Sequence, residues 1–197
     1  MSGDLAPRGP RQVFAFLFCS LDGYHEGPGG ELDWGLNDEE FFDWNLRQTR
    51  EVGALLLGRR TYEHFAEVWP SAEAAARLPE VAAFMNAVPK TVVTDGGAVP
   101  PWRNSRVVGG GGLGAEVARL RAEADGDVAV FGSSGLTVAL LEQGLVDELR
   151  ILVHPVLLGR GRSLYAGLGD RVDLAAGAVT VFRSGKVLLR YRPPARA

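Results

Sequence analysis

Cysteine is nearly missing from this sequence: Cys19 is the only one among 197 residues. A lone thiol excludes an internal disulfide framework and a multi-cysteine zinc site, and it suits a reducing, cytoplasmic setting. Histidine is almost as scarce. His25, His64 and His154 lie far apart and form no H-x-x-x-H pair, so the pattern proposes no metal site. A basic surplus is lacking too, since 21 Lys and Arg stand against 24 Asp and Glu for a net charge of −3. That balance argues against nucleic acid as a partner. The apolar stretch "VFAFLFCSL" stops at "DG", well short of the roughly 20 residues a membrane span needs. It reads as a buried strand, and no membrane partner is expected. The leading "MSGDLAPRGPRQ" carries Pro, Gly and Arg without an apolar centre, so residues 1–11 read as a flexible tail and not as a signal peptide.

What is present describes a globular domain over residues 12–197. Hydrophobic residues make up 46% and charged residues 23%, enough apolar side chain for a core that needs no staples. Strand patterns fall at 12–19, 53–57, 90–93, 106–108, 128–131, 148–156, 178–183 and 186–192. Helical spacing falls between most of them, at 38–50, 61–68, 77–86, 113–124 and 134–143. Alternation of this kind implies an α/β fold with a mostly parallel sheet covered on both faces. The last two strands have Ser184 and Gly185 between them, a hairpin signature, so the sheet should end antiparallel.

Ligands of open α/β sheets bind beyond the carboxyl ends of the strands. Three strand ends carry suitable chemistry. "ALLLGRRTYEHF" runs from Gly58 into a helix through Arg59, Arg60 and Thr61. "KTVVTDGG" ends at Thr94 and Asp95, and "DVAVFGSSGL" ends at Gly132, Ser133, Ser134, Gly135 and Leu136. Open amides at a helix start favour an anion, and paired guanidinium donors hold phosphate. Each feature alone has an ordinary structural explanation: a solvated arginine pair, a helix cap, a tight βα turn. Together on one sheet they point to a phosphate-bearing ligand. "GGGGLGAEVARL" imitates a dinucleotide fingerprint with Gly109, Gly111 and Gly114, yet the next strand ends in "FGSS" without the acid that motif needs. It reads as a flexible glycine loop without a phosphate.

"SLDGY", "LLLGRRTYE", "VFGSSGL" and "LVDELRILVHPVLLGRG" occur in the order and spacing of the dihydrofolate-reductase-like superfamily. Over residues 12–192 the chain most resembles the RibD C-terminal reductase domain of riboflavin biosynthesis. The resemblance implies a three-layer fold with a central sheet of about eight strands, a homodimer, and NADPH as hydride donor, NADH not being excluded. It places Arg59 at the 2′-phosphate, Thr61 at the diphosphate beside Gly58, and Thr94 at the 2′-phosphate. Gly132, Ser133, Ser134, Gly135 and Leu136 would form the diphosphate turn. Asp95 departs from the family pattern, since a carboxylate repels a 2′-phosphate. Asp22 and Trp34 resemble positions near the substrate, and Asp38 or Glu39 lies where true dihydrofolate reductases keep a carboxylate for the pterin ring, Asp38 being the catalytic candidate; the ordinary alternative for Asp38 is a helix N-terminal acid. Arg160 and Arg162 offer charge for a sugar phosphate.

The implied activity is reduction of a small heterocycle, as by 5-amino-6-(5-phosphoribosylamino)uracil reductase. A dihydrofolate or pterin reductase and a non-catalytic nucleotide-binding dimer are the alternatives. "DELRILVHPVLL" is apolar at most positions, so both faces of that strand should be covered, by a helix layer or, as the resemblance favours, by a second copy near it. His154 then reads as a structural residue near that seam or the cleft.

Overall fold

A computed structural model describes residues 11–35 and 38–194. The expected tail at 1–11 falls, apart from Arg11, outside the described residues. Arg11 itself is anchored, with Nε donating to the Ala124 carbonyl at 2.9 Å.

The elements run β1 (Val13–Ser20), β2 (Tyr24–Glu26), α1 (Glu39–Thr49), β3 (Val52–Gly58), α2 (Arg59–Val68), α3 (Ala72–Arg77), α4 (Pro79–Ala87), β4 (Lys90–Val93) and β5 (Ser105–Val108). After them come α5 (Leu113–Glu123), β6 (Asp127–Phe131), α6 (Ser134–Glu142), β7 (Glu148–His154), β8 (Arg162–Ser163), β9 (Ala175–Val181) and β10 (Val187–Arg192). Eight strands form one sheet in the order β5-β4-β3-β6-β1-β7-β10-β9, while β2 and β8 pair separately. All neighbours from β5 to β7 are parallel. The pairs of β10 with β7 and β9 are antiparallel. The fold is therefore the α/β, mostly parallel architecture expected, with its C-terminal hairpin.

Period-2 alternation in β1 gives the two faces different chemistry. Val13, Ala15, Leu17 and Cys19 join an aliphatic core with Leu149 and Ile151 of β7, Val117 and Leu120 of α5, and Leu136 and Leu140 of α6. Phe14 and Phe16 point the other way, into a core with Phe41 of α1, Tyr62 of α2, Met85 of α4, Phe131 and Phe182. Phe16 alone meets Phe18, Phe41, Trp44 and Phe131 at ring-centroid distances of 5.3–6.5 Å. Helices on both faces complete the three layers.

Several boundaries differ from expectation. β7 stops at His154, because Pro155 has no N–H to continue the ladder. Its faces are covered within one chain, by α6 on one side and the aromatic core on the other, so covering this strand does not require a second copy. The uncovered apolar strand is β9 at the sheet edge, where Val179 and Val181 are 61% and 68% exposed. The hairpin turn has three residues: Phe182 N–H donates to Lys186 C=O, and Gly185 takes φ 85°. The glycine loop is not loose. Gly110–Gly112 form a 3₁₀ turn running straight into α5. Among the described residues no helix is long and apolar enough to cross a membrane, and no His, Cys, Asp and Glu cluster could hold a metal.

Candidate active site

The parallel strands present their carboxyl ends along one edge, in the order β5, β4, β3, β6, β1, β7. At the middle of this row lies the turn after β6. Gly132 and Ser133 take successive left-handed conformations, φ 62° and 56°. For serine that conformation costs roughly 1–2 kcal/mol, and the neighbouring chain offsets it. Ser133 Oγ accepts the Gly58 N–H at 3.0 Å, and Ser133 N–H donates to Thr61 Oγ1 at 3.1 Å. A Cβ on Gly132 would lie 3.3 Å from Thr61 Cγ2, so glycine keeps the backbone bare where β6 meets α2. The first intrahelical bond of α6 is Thr137 N–H to Ser133 C=O. The N–H groups of Ser134, Gly135 and Leu136 precede it and open beyond the strand ends. Leu136 offers only main chain, its side chain being part of the aliphatic core. A left-handed Ser133 followed at once by the right-handed first turn of α6 makes a nest of successive N–H groups suited to an anion.

One strand spacing away, Arg59 leaves the start of α2 toward the loop after β4. Its Nη1 donates to Gly96 C=O at 2.8 Å, Nη2 to Ala98 C=O at 3.3 Å, and Nε to Glu63 at 2.7 Å. Thr94 Oγ1 donates to the same Gly96 carbonyl at 3.0 Å. Arg59, Thr94, Thr61, Gly58 and the Gly132 turn are thus brought together. Arg60 goes elsewhere: both its terminal nitrogens pair with Glu26 of β2, at 3.2 and 3.0 Å. Asp95 accepts the Gly110 N–H at 2.9 Å, which ties the glycine turn to the β4 end.

β2 and β8 flank the α6 start. His25 Nε2 lies 2.9 Å from Ser134 Oγ, and burial holds the His25 pKa below its usual value. Arg162 approaches Glu26 at 3.7 Å and lines an open depression with Gly27, Pro28 and Ser163; it is exposed, as is Arg160. Asp22 turns toward the loop after β7. It accepts Ser20 Oγ–H at 2.6 Å, Leu158 N–H at 3.1 Å and Gly159 N–H at 2.7 Å, and these bonds lower its pKa.

At the β1–β7 end a second cluster forms. Asp38 caps α1 by accepting the Phe41 N–H at 2.8 Å. Its other oxygen meets Lys186 Nζ at 2.9 Å, and that contact above all lowers its pKa to about 2. Asp38 is therefore ionised at neutral pH and has no proton of its own to give. Lys186 is fully buried, 4.6 Å over the Phe41 ring. Trp34 donates Nε1–H to Glu31 C=O at 3.1 Å and sets its ring edge-on to His154 at 5.3 Å. His154 is fully buried, its pKa pushed down to about 4 by burial and then by Lys186. Reading the sequence missed His25 and Lys186, neither of which sits in a local pattern; the "DG" beside "YHE" was the only hint of the former.

Residues 11–188 match the model of the RibD C-terminal domain. The chain belongs to that family. A relative, the uncharacterized protein YyaP of Bacillus subtilis, is 27% identical over 92% of this chain and 94% of its own length. The crystal structure of a putative riboflavin biosynthesis protein from Shewanella sp. PV-4 superposes with a TM-score of 0.70 at 22% identity, covering 93% of this chain and 99% of that one. The dihydrofolate reductase of Enterococcus faecalis, solved in complex with NADP(H), gives 0.56 at 16% identity over 92% and 96% of the two chains. These likenesses identify a reductase-like domain of dihydrofolate-reductase fold.

Proposed function

We propose that the protein is an NADPH-dependent reductase of a small planar heterocycle, with 5-amino-6-(5-phosphoribosylamino)uracil as the first substrate to test. The observation that carries this reading is the bare, left-handed Gly132–Ser133 turn, whose open amides start α6 one strand from Arg59. A dinucleotide fits the donors present. Ser134, Gly135 and Leu136 N–H groups and the Thr61 hydroxyl would hold its diphosphate, with Gly58 and Ser133 shaping the cradle. Arg59 and Thr94 would meet the adenosine phosphate. When bound, the nucleotide supplies a hydride. The chain's part is to align the two rings and exclude water. Trp34 would lie at the edge of the substrate site and give way to the substrate ring, and Asp22 would hold the 20–24 turn beside it. Asp38 would act as an ionised carboxylate, through charge or by ordering a water, which then carries the proton.

Fluorescence titration with NADPH and NADH, followed by turnover on the aminouracil and on dihydropterins, tests this. Tight NADPH binding with aminouracil-dependent oxidation is the expected result, and absence of nucleotide binding overturns it. The ionised state of Asp38 favours a second reading, a nucleotide-binding module without turnover, which NADPH binding with no oxidation against any acceptor would support. A two-fold homodimer that covers the exposed β9 edge completes the proposal, and the working site is the cytoplasm. Light scattering that returned a monomer mass would remove the dimer.

A further inference from the structure

Among the described residues, neither ring nitrogen of His154 has a hydrogen-bond partner, although its side chain is wholly buried. An unmade bond on a buried polar atom is costly, and native proteins keep few of them. The described neighbours supply no partner. Phe18 packs against the imidazole at 5.1 Å and Trp34 at 5.3 Å, with the one Trp34 donor already given to Glu31. The nearby charges, Asp38 and Lys186, are spent on each other. A phenylalanine would suit this aromatic setting better than a histidine does.

Its position explains the polar ring. His154 ends β7 in register with Ser20 of β1, and β1 lies beside β6, whose turn is the anion cradle. Two strand spacings separate them, roughly 10 Å, on the opposite side of the cradle from Arg59. A ligand whose phosphates sit in the cradle and whose far end meets Arg59 therefore extends its other end toward His154. What lies over the imidazole is Trp34, on a segment held mainly by bonds within itself: Gly27 N–H to Glu31 C=O, Gly30 N–H to Gly27 C=O, and the Trp34 indole to Glu31. Displacing that side chain breaks no sheet bond.

We infer that His154 is the polar floor of the substrate site, donating to or accepting from the amide-like edge of a neutral, planar heterocycle that takes the place of the Trp34 ring. This deepens the reductase reading and rests on it. A neutral imidazole offers one donor and one acceptor, and so matches a lactam C=O or N–H at the cost of no net charge.

The test uses the full chain and two variants, His154→Phe and His154→Gln, with lumazine and 5-aminouracil as probes in the presence of saturating NADP⁺. His154→Phe is expected to raise the melting temperature by a few degrees, having removed two unpaired polar atoms. It should also weaken probe binding tenfold or more and leave NADPH affinity unchanged. His154→Gln should recover part of the probe affinity without the gain in melting temperature, and it serves alone if the Phe variant does not fold. Unchanged probe affinity in either case, a lower melting temperature for a folded Phe variant, or wild-type protein that binds NADPH but neither probe would overturn the inference. Failure of NADPH itself to bind would instead overturn the reductase reading.

Discussion

The two ends of the cleft are built on opposite terms. At the β6 end, the hydroxyls of Thr61, Ser133 and Ser134 each have a partner, and a backbone of unusual conformation is held by bonds from α2 and β3. At the β7 end, aromatic rings surround an ion pair and an imidazole without a hydrogen-bond partner among the described residues. The first end is formed by the chain alone and, on the function proposed, would take a group that varies little, a phosphate. The second would, on the same proposal, use its unmet bonding demand to select among rings that otherwise resemble one another.

Acid should separate the two ends most. The folded His154 pKa is about 4, below its usual 6.5, so the unfolded chain takes up this proton first and stability falls as pH drops from about 6.5 to 4. That slope amounts to something on the order of 3 kcal/mol. Urea melts across that range should show it in the wild type and not in His154→Phe. Asp38 runs the same way at lower pH: its folded pKa of about 2 lies under the usual 3.8, so its contribution is complete above pH 4 and fades toward pH 2.

Asp38→Ala leaves the buried Lys186 ammonium without its carboxylate and removes the α1 cap. The expected loss is about 2 kcal/mol, discounted because the carboxylate is a third exposed; Asp38→Asn with Lys186→Met should recover most of it. On the phosphate side, Gly132→Ala puts a Cβ at positive φ and 3.3 Å from Thr61, for a loss of about 1–2 kcal/mol and weaker binding of both nucleotides in a fluorescence titration. Arg59→Ala should weaken NADPH roughly ten- to a hundredfold while NADH changes little, as one charge-assisted contact of ~1.5–3 kcal/mol predicts. Equal losses would remove the 2′-phosphate from Arg59. Smallest is Ser134→Ala, which unties β2 from α6 for about 0.5–1 kcal/mol, measurable by thermal melting.

Legibility in the sequence followed the range of the interactions. The strand-turn-helix at "VAVFGSSGL" was readable because hydrophobic period changes abruptly there and a left-handed turn wants glycine. "GRRTYE" showed where two arginines lie but not where they point. Adjacent helical residues diverge by about 100°, so Arg59 reaches the β4 loop and Arg60 reaches β2. β2 and β8, of three and two residues, are too short to carry a period. α3 was within reach, since Ser71 before an alanine-rich stretch caps it by accepting the Ala74 N–H at 3.1 Å. The Asp38–Lys186 pair joins a helix start to a distant hairpin, and the Asp95–Gly110 bond joins two loops that sequence reading treated separately. No local pattern announces either.

The place of β1 in the sheet also dictates when this protein can fold. Its partners are β6 and β7, so Val13 N–H waits for Asp147, 134 residues downstream, and Phe14 for Glu148. At translation rates of roughly 5–20 residues per second, the run "VFAFLFCS" waits about 6–23 seconds for the β6 partner of its first edge and about 7–27 seconds for the β7 partner of its second. An early-made and strongly apolar strand is thus enclosed only late. During synthesis it is a segment for chaperones to hold, and a slow, long-range closure should dominate refolding from urea.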